Sequence, residues 1–439
     1  MTKKKWSVVF GVGILVLAVI GGVLLKMGLE KQAEDDKYPN RGLPVIEINL
    51  DGVSLAEIDG GSKETKYEGN ELVVRDSGGV SSYDEVEVKG RGNGTWWGTE
   101  KKPYQVKFDE KVDLLGLGRA RKWYLITNMY DGAYIRNDVA QYLAGMLGAD
   151  YGLRGEFVEL YIDNEYRGMY YLTRAVEIDK EVVNLKDAWG VLVELDNIYG
   201  TDEKYYMSGG GDKLTVKDIV NEDVEEAVMA EFLRMFNRLE VAVDQGDYAT
   251  MVEVADMESF AEYYLLNEFT ANPDAYWTSF YMHKDGIDDR IHAGPGWDYD
   301  LALGNRMWGN WLGDIVYSPT EVMARKKELF PEGFYDISGL GDESSLLLSK
   351  LMFKMMDVPE FRAEVERVFR ERLSGRELEL EMVILRDVEK VRMAAKADGE
   401  RWDKSDFDAE AEYLLDWVRI RYEHSEQEYG DGQNVKLLL

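Results

Sequence analysis

With 439 residues, 45% hydrophobic and 12% aromatic, the chain is too apolar for a disordered stalk and long enough for one large domain or two ordinary ones. A formal net charge of −32 repels phosphate backbones and excludes nucleic acid as a partner. The lack of cysteine excludes disulfides, a thiol nucleophile, cysteine-ligated zinc and an acylated lipoprotein, and the three scattered histidines make no zinc motif.

In chain order, Lys3, Lys4 and Lys5 precede residues 6–25, an apolar run without a charge. At about 1.5 Å per residue, a helix of roughly 20 residues spans a ~30 Å hydrocarbon core. The spacing predicts a single transmembrane anchor over 1–27, its lysine flank cytoplasmic and the main domain extracytoplasmic. A cleaved signal peptide is the rival reading, but no small-x-small site follows. Residues 28–42 are polar and aperiodic, which fits a linker.

From residue 43 the pattern turns to strands. PVIEINLDG alternates, YDEVEVKGRGNGTWWGTEKKPYQVKF is strand, glycine-rich turn and strand, and RKWYLITN is another strand. Residues 131–147 have helical spacing. A hairpin turning at Asp163–Asn164 and the buried strand GVLVELDN follow. The second half reads as helices over 223–243 and 257–270, a strand over 278–284, and long charged helices around 360–396 and 407–428. The fold class expected is α+β, a sheet-rich part before a mainly helical one.

Three segments carry residues suited to chemistry. In GRGNGTWWG, the glycines, among them Gly92 and Gly94, let backbone N–H groups approach a polyphosphate, and Arg91 or a following lysine can neutralise it. The plain alternative is a glycine-rich hairpin turn. In NPDAYWTS, Asp274 stands in a loop after a helix, where a carboxylate can act as a base toward a hydroxyl; Asn-Pro-Asp is also ordinary turn chemistry. In GPGWDYD, Asp298 and Asp300 are two apart and on a strand would share one face. Like charges that close favour a Mg²⁺ or Mn²⁺ ion between them, unless the segment is an exposed acidic strand end.

The segments RGNGTWWGTEKKPYQVKF, KWYLITNMYDGAYIRNDVA, FVELYIDNEYRGMYYLT, NEFTANPDAYWTSFYMHKDG and GPGWDYDLALGN, in this order, resemble the spore-coat-protein-H (CotH) kinase family over about 43–428. The resemblance implies a divergent protein-kinase-like fold of two lobes, a sheet-rich N-lobe over about 43–177 and a mainly helical C-lobe over about 178–428. Residues 429–439 are left as a tail. It further implies a glycine-rich turn at Arg91, Gly92 and Gly94 over the nucleotide phosphates, and Lys102 as the phosphate-pairing lysine, with Lys101 and Lys107 as substitutes. Residues 171–177 would connect the lobes, and the 131–147 helix would take the place of the kinase regulatory helix, although it contains no glutamate to pair with the lysine. Asp274 is similar to the aspartate that orients the acceptor hydroxyl, Ser279 stands where kinases carry a metal-binding asparagine, and Asp298, with Asp300 beside it, is similar to the metal aspartate.

The function so implied is transfer of the ATP γ-phosphoryl group, with Mg²⁺ or Mn²⁺, to Ser or Thr of an extracytoplasmic or spore- or cell-surface protein. The acidic chain predicts a basic acceptor. Two other readings stay open: a non-catalytic surface or adhesion protein retaining a nucleotide-binding fold, and a nucleotidyl transferase.

Overall fold

The computed structural model describes residues 37–197, 204–272, 274–305, 349–404 and 406–430. Seven strands form a closed barrel: β1 (Val45–Asn49), β2 (Tyr67–Asp76), β3 (Gly79–Gly90), β4 (Tyr104–Asp113), β5 (Arg119–Ile126), β6 (Glu156–Ile162) and β7 (Glu165–Arg174), in the order β1-β2-β3-β4-β5-β7-β6. Closure comes from β1, which pairs antiparallel with β2 and parallel with β6. The period-two alternation of these strands fills the interior with Ile46, Ile48, Leu72, Val88, Val106 and Trp123. The β6–β7 hairpin turns through Asp163 and Asn164, both at positive φ, as a two-residue turn between right-twisted strands requires.

A second sheet, of five strands, is built from β8 (Val191–Leu195), β9 (Tyr205–Met207), β10 (Lys213–Ile219), β11 (Phe280–Lys284) and β12 (His292–Ala293), ordered β12-β11-β8-β10-β9. The main helices are α1 (Arg136–Leu147), α2 (Glu225–Gln245), α3 (Met257–Thr270), α4 (Pro359–Arg372), α5 (Glu377–Trp402) and α6 (Phe407–Tyr429). Their apolar faces share one large core with the second sheet, including Leu143, Phe232, Phe260, Val365, Ile384 and Trp417.

These findings correct the expected two-lobed, kinase-like α+β fold behind a membrane anchor. The first sheet has no free edge, because β1 joins β6. Residues 171–174 lie inside β7, hydrogen-bonded to β5 and β6, and are not a linker between lobes. Strands continue to residue 293 in the second sheet. The anchor and most of the linker fall on residues outside those described. Among the described residues no helix is long and apolar enough to cross a membrane. The described structure thus gives no support to the single-pass topology or the extracytoplasmic placement.

Two helix boundaries also differ from the pattern. The 131–147 helix starts only at Arg136, because the Asp131 carboxylate accepts from the backbone N–H groups of Ala133 (2.9 Å) and Arg136 (2.8 Å) and winds 131–135 into a turn. The long helix expected over 360–396 is broken into α4 and α5 around Gly375, whose φ of +73° a continuous helix cannot hold.

Helix α5 is fastened to the barrel by a buried charge. Asp398 accepts from Lys101 Nζ (2.6 Å), the Met169 amide (2.8 Å) and the Tyr134 hydroxyl (2.7 Å), and both Asp398 and Lys101 are fully enclosed. The approach needs Gly168, at φ +101°, since a side chain there would overlap the Asp398 carboxylate.

Candidate active site

The acidic segment is a loop, 294–305, set between α1, the end of α3 and the turn 127–135. Its conformation is fixed by polar groups from those neighbours. Gln141 Nε2 donates to Gly296 O (2.8 Å), the Tyr299 amide donates to Asn137 Oδ1 (2.8 Å), and the Leu303 amide donates to Thr270 O (2.6 Å). Asn305 Nδ2 bridges Asp300 O (2.5 Å) and Tyr130 O (2.6 Å). Arg136, wholly buried and paired with Asp131, reaches Leu303 O (3.4 Å). So α1 has no glutamate for a lysine, but its first turns hold the acidic loop directly through Arg136, Asn137 and Gln141.

In this loop Asp298 has a φ of +68° and an exposed side chain, whereas Asp300 is buried. Because the loop is not a strand, spacing by two does not place both carboxylates on one face. Electrostatics nevertheless joins them. Burial pushes the Asp300 carboxyl well above its usual range, and Asp298, Asp274 and Asp131 push it further. The Asp298 carboxyl is raised by desolvation and drawn back by the Arg91 guanidinium. Asp274, half-buried just past the left-handed cap Ala271 of α3, is raised to about 7, by burial first and by Asp298 second. Raised pKa values that arise from one another mark a candidate functional site.

The glycine-rich turn contributes less than its composition suggests. Residues 94–98 form one short helical turn, Gly92 has a φ of +79°, and Gly94 is exposed. Gly90 is required for a packing reason, since a Cβ there would collide with the Trp96 ring. Arg91 does face the site, with its guanidinium over Tyr124 (4.3 Å) and near Trp297 (5.8 Å), next to Asp298 in the chain. The Lys102 ammonium donates to the carbonyls of Trp96 and Thr99 (both 2.6 Å) and caps the 94–98 turn. Lys101 is committed to Asp398. Ser279, half-buried at φ +55°, leads into β11.

The structure thus brings Asp274, Asp298, Asp300 and Arg91 into electrostatic contact and turns Lys102 toward its own turn. Among the described residues no three acidic or histidine side chains converge as a metal cage. That does not conflict with a Mg²⁺ or Mn²⁺ nucleotide complex, since such an ion takes one or two carboxylates and fills its shell with phosphate oxygens and water. The hard oxygen donors and mutual repulsion of Asp298 and Asp300 fit such an ion. Sequence reasoning missed Asn128, Asp131, Asn305 and Asp398. One signal was available for Asp398, an acid on the face of α5 that carries Val391, Ala394 and Ala395.

A family model described as CotH kinase protein matches residues 86–425, from within β3 to within α6. The chain belongs to the CotH kinase family. Comparison with curated proteins gives no match.

Proposed function

We propose that the protein is an ATP-dependent kinase that transfers the γ-phosphoryl group to a Ser or Thr hydroxyl of a protein. The observation that supports this most directly is the linked set of Asp274, Asp298 and Asp300, each carboxyl raised, with the Arg91 guanidinium beside Asp298. Asp298 and Asp300 would hold the divalent cation, which would supply positive charge to neutralise the phosphates. Arg91 adds a fixed positive charge for the phosphates. Asp274 orients the acceptor hydroxyl and takes its proton as the new oxygen–phosphorus bond forms and the bond from the γ-phosphorus to the ADP oxygen breaks; a carboxyl near 7 is better matched to that task than an ordinary aspartate. The net charge of −32 supports a basic acceptor segment.

The engagement of Lys102 with carbonyl groups favours a second reading, nucleotide binding without turnover. Incubating the full chain with γ-labelled or α-labelled ATP, Mn²⁺ or Mg²⁺ and a Ser/Thr peptide separates the cases. Label passing from the γ position alone supports the kinase. Label from the α position makes it a nucleotidyl transferase, and bound nucleotide with no transfer supports the second reading. In calorimetry with Mg-ATP, Asp298→Asn should lose nucleotide affinity and Asp274→Asn should keep it.

A further inference from the structure

We propose that Lys404 is a positioning residue for the acidic loop 294–305, acting on it through the turn 127–135 without touching the reacting groups. The inference rests on the reading of that loop as the cation- and nucleotide-binding element.

Lys404 follows Asp403, the left-handed cap of α5, and its amide donates back to Gly399 O (3.1 Å). From there its ammonium reaches across to the barrel side. It donates to Asn128 O (2.7 Å) and Asp131 O (3.0 Å) and lies 3.5 Å from the centre of the Tyr134 ring. Two carbonyls and an aromatic face hold one cation at a distance where each attraction counts.

The two residues it grips are the roots of the bonds that shape the acidic loop. Asn128 Oδ1 accepts from Asn137 Nδ2 (3.3 Å), and Asn137 Oδ1 accepts from the amide of Tyr299, which lies between Asp298 and Asp300. Asp131 pairs with Arg136, which donates to Leu303 O. Between them, Tyr130 O accepts from Asn305, the same amide group that binds Asp300 O. Three strings therefore run from one short turn to one loop, and Lys404 clamps the turn from the opposite side.

The turn needs such a clamp. Asn128 and Tyr134 both have left-handed backbone, at φ +50° and +63°. Strained non-glycine residues of this kind persist only where surrounding contacts over-determine them. Removing the ammonium frees two carbonyls and lets the turn relax, and the amide bond to Tyr299 is the next to loosen. Lys404 lies more than 100 residues from Asp298 in sequence, so no local motif connects them.

Hydrogen exchange on the full chain at pH 6, where Lys404, lowered to about 7 by burial, is still mainly an ammonium, tests this by mass spectrometry. In Lys404→Met, peptides spanning 294–305 should exchange about tenfold faster while β2 and β3 keep the parent rate, and Lys404→Arg should restore most of the protection. Unchanged exchange in 294–305 would overturn the proposal, and so would a rise equal in the barrel and the loop, which would assign Lys404 to general packing. Should Lys404→Met not accumulate as folded protein, Lys404→Gln is judged by the same two criteria. Calorimetry with Mn²⁺-ATP gives a second arm, in which the variant should bind about tenfold more weakly than the parent. A parent that binds no Mn²⁺-ATP would defeat the nucleotide reading alone, because the exchange arm still decides the role of Lys404.

Discussion

Replacing Asp398 with asparagine should destabilise the protein by about 3–5 kcal/mol at pH 7, the usual consequence of removing one partner from a buried ion pair. In the parent, the fully enclosed Lys101 ammonium has three acceptors, Asp398 Oδ1, Thr127 O (3.0 Å) and Met169 O (2.6 Å), and only Asp398 carries charge. Burial already lowers the Lys101 pKa, and Asp398 holds it up. Without Asp398 the lysine folds in its neutral form. Stripping its proton at pH 7 costs about 1.4 kcal/mol for each unit up to an unfolded pKa of about 10.4, which bounds this part of the loss at about 4.6 kcal/mol. Between pH 7 and about 10 the folded variant then binds one proton fewer than its unfolded chain, so its stability rises with pH. The deficit against the parent should shrink by at most about 1.4 kcal/mol per pH unit, because the lowered pKa of Lys101 gives the parent part of the same rise. Lys404, lowered to about 7 by burial and supported by Asp398, also responds, but it is mostly neutral by pH 8. Urea unfolding of both proteins, followed by tryptophan fluorescence at pH 8 and 9, isolates the Lys101 contribution. A deficit under about 1 kcal/mol at pH 7, or one that grows from pH 8 to 9, would refute the account.

Asp274 must be ionised to take a proton and its pKa is about 7, so log kcat/KM should rise with unit slope below pH 7 and level above it. Raising the divalent cation concentration should move that break to lower pH, and a profile flat from pH 5 to 8 would remove Asp274 as the base. Gly90→Ala should cost about 1–3 kcal/mol in thermal or urea unfolding, because the added methyl meets the buried Trp96 ring; an unchanged midpoint would mean that the turn carries no such packing. With a central serine flanked by lysines or by glutamates, the lysine peptide should be phosphorylated faster at low salt. The advantage should fade as the screening length drops to about 8 Å near 0.15 M, and equal rates at low salt would end the steering argument.

What the sequence made legible was what local pattern controls. Period-two alternation marks β1 and β6, and the turn residues Asp163 and Asn164 mark the hairpin, because both signals arise within a few residues. Barrel closure was not legible, since it depends on a parallel pairing of β1 with β6, more than 100 residues apart, and no local pattern encodes which edge meets which. The same division runs through the site. Asp274, Asp298 and Asp300 could be singled out because each sits in a short segment dense in loop-forming and acidic residues. Lys102 is named only through the family resemblance, and the direction of its ammonium is set by the open carbonyls of Trp96 and Thr99, which exist only once residues 94–98 have wound into a helical turn. The partners of Asp398 and Lys404 were beyond reach for a further reason. Asp398 lies in the last turns of α5 and Lys404 just past its cap, in a stretch that reads as an ordinary charged helix; Asp398 acts on Lys101 and Met169, and Lys404 on Asn128 and Asp131. A helix of that length can carry a buried acid only where another element supplies donors of matching number and direction. The barrel supplies a lysine and an amide, and the turn 127–135 a tyrosine hydroxyl, at that one point, so the contacts that fasten α5 meet the same turn that carries the bonds to the acidic loop.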